Sequence, residues 1–249
     1  MTTLIVAAAQ TISIVGDVPA NIQRHLTLMR AAAEQGVQLL VFPELSLTGY
    51  EPFLAADLAI APEDGVLAPL RETARELRLT AVVGMPIRVA PEAGVLIGAL
   101  VLGADGSLAV YTKQHLHSGE ELAFVAGQGG ALLERGRDRI ALAVCADFSH
   151  ASHPRAAVDA GATVYAAGVL ISEGGYATDS ALLQGYAAEH GLLVLMANHG
   201  GPSGGWVCAG RSAIWAADGS LLATAPDAGD AVVIARRDGE HWAGQVVIL

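Results

Sequence analysis

Short apolar runs alternate along this chain with segments in which apolar residues recur every three or four positions. Four runs have the length and β-branched content of buried strands: Leu4–Ala9, Leu39–Phe42, Ala81–Gly84 and Ile140–Val144. Two intervening segments, Ala20–Gln35 and Leu67–Leu77, each present one apolar face and predict amphipathic helices. A regular alternation of strands and helices is typical of an α/β fold with parallel strands.

A phrase that occurs twice predicts two antiparallel hairpins. Ala-Asp-Gly-Ser-Leu stands at Ala104–Leu108, after the apolar run Val95–Leu102, and again at Ala217–Leu221, before Leu222–Ala225. An Asp-Gly pair between apolar runs is a strong hairpin signal. The repeated phrase indicates two similar halves, each with parallel strands, helices and one hairpin. Because no linker or composition break divides the chain, we expect residues 1–249 to form a single domain.

Composition and charge narrow the classes of function. With 53% hydrophobic residues among 249, the chain can bury a large core. A net charge of −11 without a basic cluster predicts no nucleic-acid binding. The longest apolar stretch, Val95–Gly103, is too short to cross a bilayer, and the start lacks the basic region of a signal peptide, so we expect no membrane association. Two cysteines without a secretory signal indicate reduced thiols and a cytoplasmic location.

Cys145 is the first candidate for chemistry. It directly follows the apolar run Ile140–Val144, and helix signals begin at Pro154. A thiol at the carboxyl end of a buried strand, shortly before a helix, lies where open α/β folds place their nucleophiles. Taken alone, the cysteine is more consistent with a small buried hydrophobic residue, and only its combination with two further segments favours a catalytic role.

Those two segments place a carboxylate and an ammonium group at strand ends. Pro43 ends the second predicted strand, and Glu44 follows among apolar neighbours, which predicts a raised carboxyl pKa suited to proton transfer. Lys113 closes the second strand of the first hairpin, where a fixed ammonium can stabilise an oxyanion if a carboxylate keeps it charged. Glu120 and Glu121 are the candidates for that carboxylate. Taken alone, each segment is more consistent with ordinary solvated side chains.

Together, the three segments resemble those of the carbon–nitrogen hydrolase, or nitrilase, superfamily. The motifs that carry the resemblance are Phe42-Pro43-Glu44 with Gly49-Tyr50, Tyr111-Thr112-Lys113 with His115-Leu116, and Val144-Cys145-Ala146-Asp147. It continues, in order and at fitting spacings, through Gly161-Ala162, Ala187-Ala188-Glu189, Val194–Asn198 and Gly210-Arg211-Ser212. The resemblance covers nearly the whole chain. It implies a four-layer α-β-β-α sandwich in which Glu44, Lys113 and Cys145 form a catalytic triad.

The resemblance also implies a chemistry that suits these residue types. Glu44 would be the general base for Cys145, whose thiolate attacks an amide carbon and forms a thioester. Lys113 and the backbone N–H of Ala146 would stabilise the oxyanion. We expect a depressed pKa of the Cys145 thiol, and we expect Asp147 to anchor the turn after the nucleophile by accepting backbone N–H bonds. No metal or organic cofactor is required.

The remaining site residues also come from the resemblance. The family's second glutamate lies at a distance after the lysine that selects Glu121 over Glu120 to hold Lys113 charged. Arg155 and Arg211 are single candidates for anchoring a substrate carboxylate, because no basic cluster marks a pocket for one. The residues that we expect to bind the substrate are Tyr50, Phe124, Ala146 and Phe148.

The function that we expect is hydrolysis of a small carboxamide to an acid and ammonia. Relatives often carry an aromatic residue or glutamate where Ala146 stands, so an N-carbamoyl amine or amino-acid hydrolase and a nitrilase stay as alternatives. An inactive binding protein of the same fold is disfavoured because all three triad positions are filled, and a thiol-redox protein is the remaining class. His150 and His153 lack the spacing of a metal site.

The resemblance further predicts an assembly. Relatives usually pair through helices that follow the cysteine and glutamate motifs, so we expect at least a homodimer. The predicted helix Thr178–His190 is the candidate for part of that interface, through Leu182, Leu183, Tyr186 and Glu189.

Overall fold

The computed structural model describes residues 3–249. In the first half the elements are β1 (Ile5–Gln10), α1 (Val18–Glu34), β2 (Leu39–Val41), α2 (Ala55–Leu58), α3 (Ala68–Glu76), β3 (Thr80–Ile87), β4 (Leu96–Leu102) and β5 (Leu108–Thr112). In the second half they are β6 (Leu133–Arg135), β7 (Asp138–Val144), α4 (Ser152–Asp159), β8 (Val164–Val169), α5 (Tyr176–His190), β9 (Leu193–Asn198), β10 (Ala213–Trp215), β11 (Leu221–Thr224), β12 (Ala231–Asp238) and β13 (His241–Ile248). Short 3₁₀ turns cover Pro52–Leu54, Gly65–Leu67, Glu120–Leu122 and Cys145–Ser149.

The strands form two mixed sheets. One has the order β13-β12-β1-β2-β3-β4-β5, and the other has the order β11-β10-β9-β8-β7-β6. Each sheet contains three neighbouring parallel strands, β1-β2-β3 in the first and β7-β8-β9 in the second. Both predicted hairpins are confirmed, because β4 pairs with β5 and β10 pairs with β11 in antiparallel register.

Alternation of side chains along the strands produces four layers. In β1, Val6 points into the space between the sheets, whereas Ala7 faces α1 and α3. In β7, Leu142 points between the sheets and Ala143 faces α4 and α5. The apolar side chains therefore fill three interfaces, helix on sheet, sheet on sheet and sheet on helix. The predicted α-β-β-α sandwich is confirmed.

The helix α1 starts earlier than the apolar periodicity predicts. Its first residue is Val18, because the Asp17 carboxylate accepts a hydrogen bond from the Ala20 backbone N–H and Pro19 occupies the first turn. Asp17 and Pro19 do not belong to the apolar face of the helix, so the spacing of apolar residues alone does not predict where the helix starts. The prediction of one domain stays a prediction, supported by a central core that takes side chains from both halves.

The helix α5 contradicts part of the predicted pairing surface. Leu183 and Tyr186 are buried in the chain's own core, at 0% and 4% exposure, so they cannot form contacts with a second subunit. Leu182 is half-buried and Glu189 is exposed. Within residues 3–249, none of the helices combines the length and apolar content that crossing a membrane requires.

Candidate active site

The segment after β2 carries Glu44 into the gap between the two sheets. Two glycines leave room for it. A methyl group at Gly168 on β8 would lie 2.5 Å from the Phe42 carbonyl oxygen, and one at Gly84 on β3 would lie 2.6 Å from the Pro43 carbonyl oxygen. Since neither strand presents a side chain there, the backbone around Glu44 passes between them. The carboxylate is thereby held at 2% exposure.

Lys113 lies immediately after β5 and joins two carboxylates. Its Nζ is 2.7 Å from Glu44 Oε1 and 2.7 Å from Glu120 Oε1. The Glu120 carboxylate also accepts hydrogen bonds from the Tyr50 hydroxyl at 2.8 Å and from the His117 backbone N–H at 2.8 Å. The ammonium and both carboxylates are buried. This arrangement fixes the lysine side chain in position and keeps it charged.

The prediction that Glu121 holds Lys113 is wrong in the structure, because Glu120 takes that position. Glu121 is exposed, and its carboxylate accepts a hydrogen bond from the Gly119 backbone N–H at 2.7 Å. The two glutamates begin a 3₁₀ turn that follows Gly119, whose φ is +94°. This turn directs the first carboxylate inward and the second to the surface, and that choice depends on the backbone rather than on spacing.

Cys145 begins a 3₁₀ turn at the carboxyl end of β7. Its φ of +42° lies in the left-handed region, which is uncommon outside glycine and recurs at functional sites. The turn continues through Ala146, whose backbone N–H has no intrahelical acceptor at this position. The Cys145 Sγ lies 3.6 Å from the Leu170 carbonyl oxygen, which accepts its hydrogen bond.

Asp147 connects the nucleophile turn to the lysine segment. Its fully buried carboxylate accepts hydrogen bonds from the backbone N–H of Val144, Gln114 and His115, at 3.0, 3.0 and 2.9 Å. The Tyr111 hydroxyl donates a further one at 2.7 Å. The predicted anchoring role is confirmed, and it extends beyond the local turn, since two of the donors follow Lys113 in the chain.

Burial and neighbouring charges set the proton positions. Burial raises the pKa of Glu44 to about 7, with Lys113 opposing the shift and Glu120 adding to it. The predicted direction for Glu44 is confirmed. Burial, followed by the Glu44 charge, also raises the pKa of the Cys145 thiol, so the prediction of a depressed thiol pKa is wrong. Lys113 does not cancel the rise in the thiol pKa, because its charge is shared by the carboxylates of Glu44 and Glu120. These neighbouring negative charges outweigh the burial of Lys113 and keep the pKa of its ammonium above the ordinary value.

A cavity of about 1030 Å³ opens above the Cys145 sulfur. Among the predicted substrate-binding residues, Tyr50, Ala146 and Phe148 line it. Phe124 does not, because it is buried at 3% exposure in the core between the sheets. Nothing in its spacing distinguishes an apolar residue of the core from one of the cavity wall. Further wall residues come from the segment after β8, namely Leu170, Ile171, Ser172 and Gly175.

Two buried polar residues to which the sequence assigns no role hold this arrangement together. His199, just after β9, has its Nε2 at 2.7 Å from the Glu44 carbonyl oxygen, and burial lowers its pKa to about 4, so it donates as a neutral ring. The Asn198 side chain accepts from the Ile171 backbone N–H and donates to the Ile171 carbonyl. Only Asn198 appears in a recognisable motif. His199 lies outside the motifs, and its position directly after Asn198 is the one feature of the sequence that points to it.

Of the two histidines near Cys145, His153 belongs to the buried network and His150 is exposed. His153 Nε2 lies 2.8 Å from the Tyr111 hydroxyl, and its Nδ1 lies 2.8 Å from the Tyr165 hydroxyl. His150 stacks on His115, with ring centroids 4.0 Å apart. Across residues 3–249, no group of three or more histidine, cysteine, aspartate or glutamate side chains is arranged to hold a metal ion. The absence of cofactors stays a prediction.

Comparison with known sequences gives a family and several distant relatives. A model of the family described as carbon–nitrogen hydrolase matches residues 5–244. The chain is 32% identical over 140 residues to the glutamine-dependent NAD(+) synthetase of Mycobacterium tuberculosis, covering 53% of this chain and 20% of that protein. Against the enzyme of the same name from Thermotoga maritima, the identity is 28% over 171 residues, covering 66% and 29%. This chain therefore spans less than a third of the length of these relatives.

Comparison with solved structures gives enzymes of the same fold. An amidase from Nesterenkonia sp. AN1, with acrylamide added to its active-site cysteine, has a TM-score of 0.84 at 28% identity, over 93% of this chain and 92% of that one. The same amidase in complex with butyramide has a TM-score of 0.86 at 27% identity, over 95% and 92%. Saccharomyces cerevisiae Nit3, of the nitrilase superfamily, has a TM-score of 0.87 over 96% and 91%, and at 20% identity the likeness concerns the fold.

Proposed function

The chain belongs to the carbon–nitrogen hydrolase family and is a thiol-dependent carbon–nitrogen hydrolase, and from this premise we propose that it cleaves small carboxamides to carboxylic acid and ammonia. The observation that carries the proposal is the state of the Glu44 carboxylate. Its Oε1 is held by Lys113 at 2.7 Å, whereas its Oε2 is buried without a hydrogen-bond partner. The Cys145 thiol lowers the pKa of Glu44 through a side-chain hydrogen bond, so the two side chains are within reach of each other.

In the proposed first half-reaction, Glu44 accepts the thiol proton as the sulfur attacks the amide carbon. The carbon–sulfur bond forms, and the carbonyl oxygen takes up the displaced electron pair. Glu44 then returns the proton to the amide nitrogen, the carbon–nitrogen bond breaks, and ammonia leaves a thioester on Cys145. Since the thiol pKa is raised, proton transfer accompanies the attack rather than preceding it.

In the proposed second half-reaction, water takes the place of ammonia. Glu44 accepts a proton from the water molecule, and the water oxygen attacks the thioester carbon. The carbon–sulfur bond breaks, the acid leaves, and the sulfur regains the proton from Glu44. In both halves, Lys113 and the Ala146 N–H donate to the oxyanion, and each such donor typically contributes about 3 kcal/mol. Glu120 positions Lys113 for this role.

Ammonia release across a panel of compounds tests the proposal. Aliphatic and aromatic amides, ω-amides, N-carbamoyl compounds and nitriles are compared in wild type and Cys145→Ala. The proposal expects amide hydrolysis that Cys145→Ala abolishes and a mass increase on the wild-type chain equal to the acyl group. Turnover of carbamoyl compounds or nitriles alone would favour those alternatives. Identical behaviour of the two proteins across the panel would favour an inactive binding protein.

We further propose that the protein acts in the cytoplasm as a homodimer, without a metal or cofactor. The exposed face of α5 around Glu189 is the part of the predicted interface that remains available. Light scattering after size exclusion measures the oligomeric state, and a monomer at micromolar concentration would contradict the proposed dimer.

A further inference from the structure

The wall of the active-site cavity carries an excess of negative charge. Four acidic side chains line it, Glu44, Glu51, Glu120 and Asp179. Among its described lining residues, His117 is the single side chain that can carry a positive charge. Two N–H groups of the Lys113 ammonium bind Glu44 and Glu120, and the third is the proposed oxyanion donor, so the ammonium offers no counter-charge to a distant substrate group.

The two arginines that the sequence offered as carboxylate anchors are not available to the cavity. Neither Arg155 nor Arg211 is among the residues that line it. Arg211 pairs with Glu173, at 2.5 Å, and with Asp227, at 3.4 Å, and its guanidinium stacks on the Tyr176 ring at 4.2 Å. An amide that carries a carboxylate would therefore enter a negative cavity in which His117 is the single possible cation among the described lining residues, which opposes binding.

Asp179 is the acidic wall residue whose carboxylate forms no hydrogen bond or ion pair with the rest of residues 3–249. It lies in the first turn of α5, and its Oδ2 is so close to the cavity-lining Gly175 that a methyl group there would be 3.1 Å away. Burial raises the pKa of Asp179, opposed by the charge of His117, and no hydrogen bond contributes. Glu51 differs, because its Oε1 accepts a hydrogen bond from the Gly204 backbone N–H at 3.1 Å.

A structural role at the helix start does not account for Asp179. Carboxylates in a first helical turn gain from the positive end of the helix dipole and from free backbone N–H groups, and both effects lower the pKa. The Asp179 carboxylate accepts no hydrogen bond from these N–H groups, and burial raises its pKa. A partly desolvated carboxylate without a donor, in the wall of a substrate cavity, is suited to a ligand that brings a positive charge.

We propose that the cavity selects amides that carry a cationic group, such as an ammonium at the end of an alkyl chain, and that Asp179 is the counter-ion that determines this specificity. The inference rests on the proposed amidase function and names its substrate class. Neutral amides remain substrates at lower efficiency, and amides that carry a carboxylate are rejected. Asp179 lies in the cavity wall near Gly175, which has no side chain to cover its carboxylate.

Matched substrates test this specificity. ω-Amino alkanamides of increasing chain length are each compared with the neutral alkanamide in which a methyl replaces the ammonium, and with the corresponding ω-carboxyl amide. The assay is run at about pH 8, where histidine rings are ordinarily neutral. At the optimal length we expect the ratio of kcat/KM, cationic over neutral, to be about tenfold, the range of a partly exposed charged hydrogen bond. In Asp179→Asn the ratio falls toward one, and in wild type it decreases with added salt.

Binding measurements separate this inference from the proposed reaction. The same compounds are titrated into Cys145→Ala, which holds substrate without turnover, and into Cys145→Ala combined with Asp179→Asn. A cationic preference in binding that depends on Asp179 supports the inference even if wild type releases no ammonia. Asp159→Asn, an exposed acid outside the cavity, is the control and keeps the wild-type ratio. Equal ratios in wild type and Asp179→Asn, or a loss of preference in Glu51→Gln instead, would overturn the assignment.

Discussion

Replacing Glu120 by glutamine removes one negative charge from the buried cluster around Lys113 while keeping the size of the side chain. The carboxylate accepts three hydrogen bonds, from Lys113 at 2.7 Å and from Tyr50 and the His117 backbone at 2.8 Å each. A glutamine oxygen can serve at most two of these donors well, and its amide nitrogen would face the third. Breaking one partner of a buried ion pair typically costs about 3–5 kcal/mol.

The cost expected here lies at the lower end of that range, about 3 kcal/mol of unfolding free energy, because Lys113 retains Glu44. Activity falls as well, since the ammonium is no longer held by two opposing carboxylates and turns toward Glu44. Loss of one oxyanion donor corresponds to about a hundredfold in kcat/KM. The charge of Glu120 also helps to raise the pKa of Glu44. In Glu120→Gln that pKa falls, so the acid limb of the pH–rate profile moves below about 7.

The assay is kcat/KM for one neutral amide between about pH 5 and 9, combined with urea unfolding of the same proteins. Glu121→Gln is the matched control. Because Glu121 is exposed and bonds only within its own turn, we expect less than a twofold change in activity and less than about 0.5 kcal/mol in stability. Wild-type behaviour of Glu120→Gln together with a large loss in Glu121→Gln would refute the assignment. An unchanged acid limb in a weakened Glu120→Gln would refute the electrostatic reasoning.

Three further predictions concern the proton positions and the backbone around the site. Burial raises the pKa of Glu44 from 4.5 to about 7, so kcat/KM rises with pH through about 7. Wild-type stability falls between about pH 4.5 and 7, by about 3 kcal/mol more than that of Glu44→Gln, measured by urea unfolding at both ends; a flat profile contradicts this. Burial raises the pKa of the Cys145 thiol, and it raises that of Cys208 to about 11. Methyl methanethiosulfonate, a thiol reagent without a carboxamide, therefore modifies both near neutral pH more slowly than free cysteine; rapid labelling of Cys145 would count against a neutral thiol. In Gly168→Ala the added methyl group would collide with the backbone of Phe42, so we expect the unfolding free energy to fall by about 2–4 kcal/mol and activity to be lost. The control is Gly185→Ala on α5, where the methyl group enters open space and the change is neutral or stabilising by up to about 1 kcal/mol. Equal effects of the two substitutions would contradict the reasoning.

Much of the architecture was accessible from the sequence, because alternation along buried strands decides which side chain faces which layer. The strand ends that carry Glu44, Lys113 and Cys145 were accessible as well, because each residue follows the end of an apolar run. The choice between Glu120 and Glu121 was not. It depends on the left-handed backbone of Gly119, and no spacing rule records that conformation.

The electrostatic state of the site was also out of reach. Whether Lys113 depresses the thiol pKa of Cys145 depends on how many carboxylates share its charge. Two do, since Glu44 Oε1 and Glu120 Oε1 each lie 2.7 Å from the Lys113 Nζ. A sequence lists these charges without their separations. For Phe124, hydrophobicity predicts burial correctly but cannot say whether the burial is in the core or in the cavity wall. For His199, polarity predicts an exposed side chain, whereas the residue is buried and holds the backbone of Glu44 through a hydrogen bond to its carbonyl oxygen.

Keeping the sulfur protonated protects the nucleophile between turnovers. Peroxides and soft electrophiles react mainly with the anionic form of cysteine, so we expect the resting Cys145 thiol to react slowly with them. Proteome-wide surveys that rank cysteines by their reactivity toward general reagents will pass over Cys145. A covalent probe that presents a carboxamide to the oxyanion donors will label it selectively, which makes recognition of the carbonyl group the switch for reactivity.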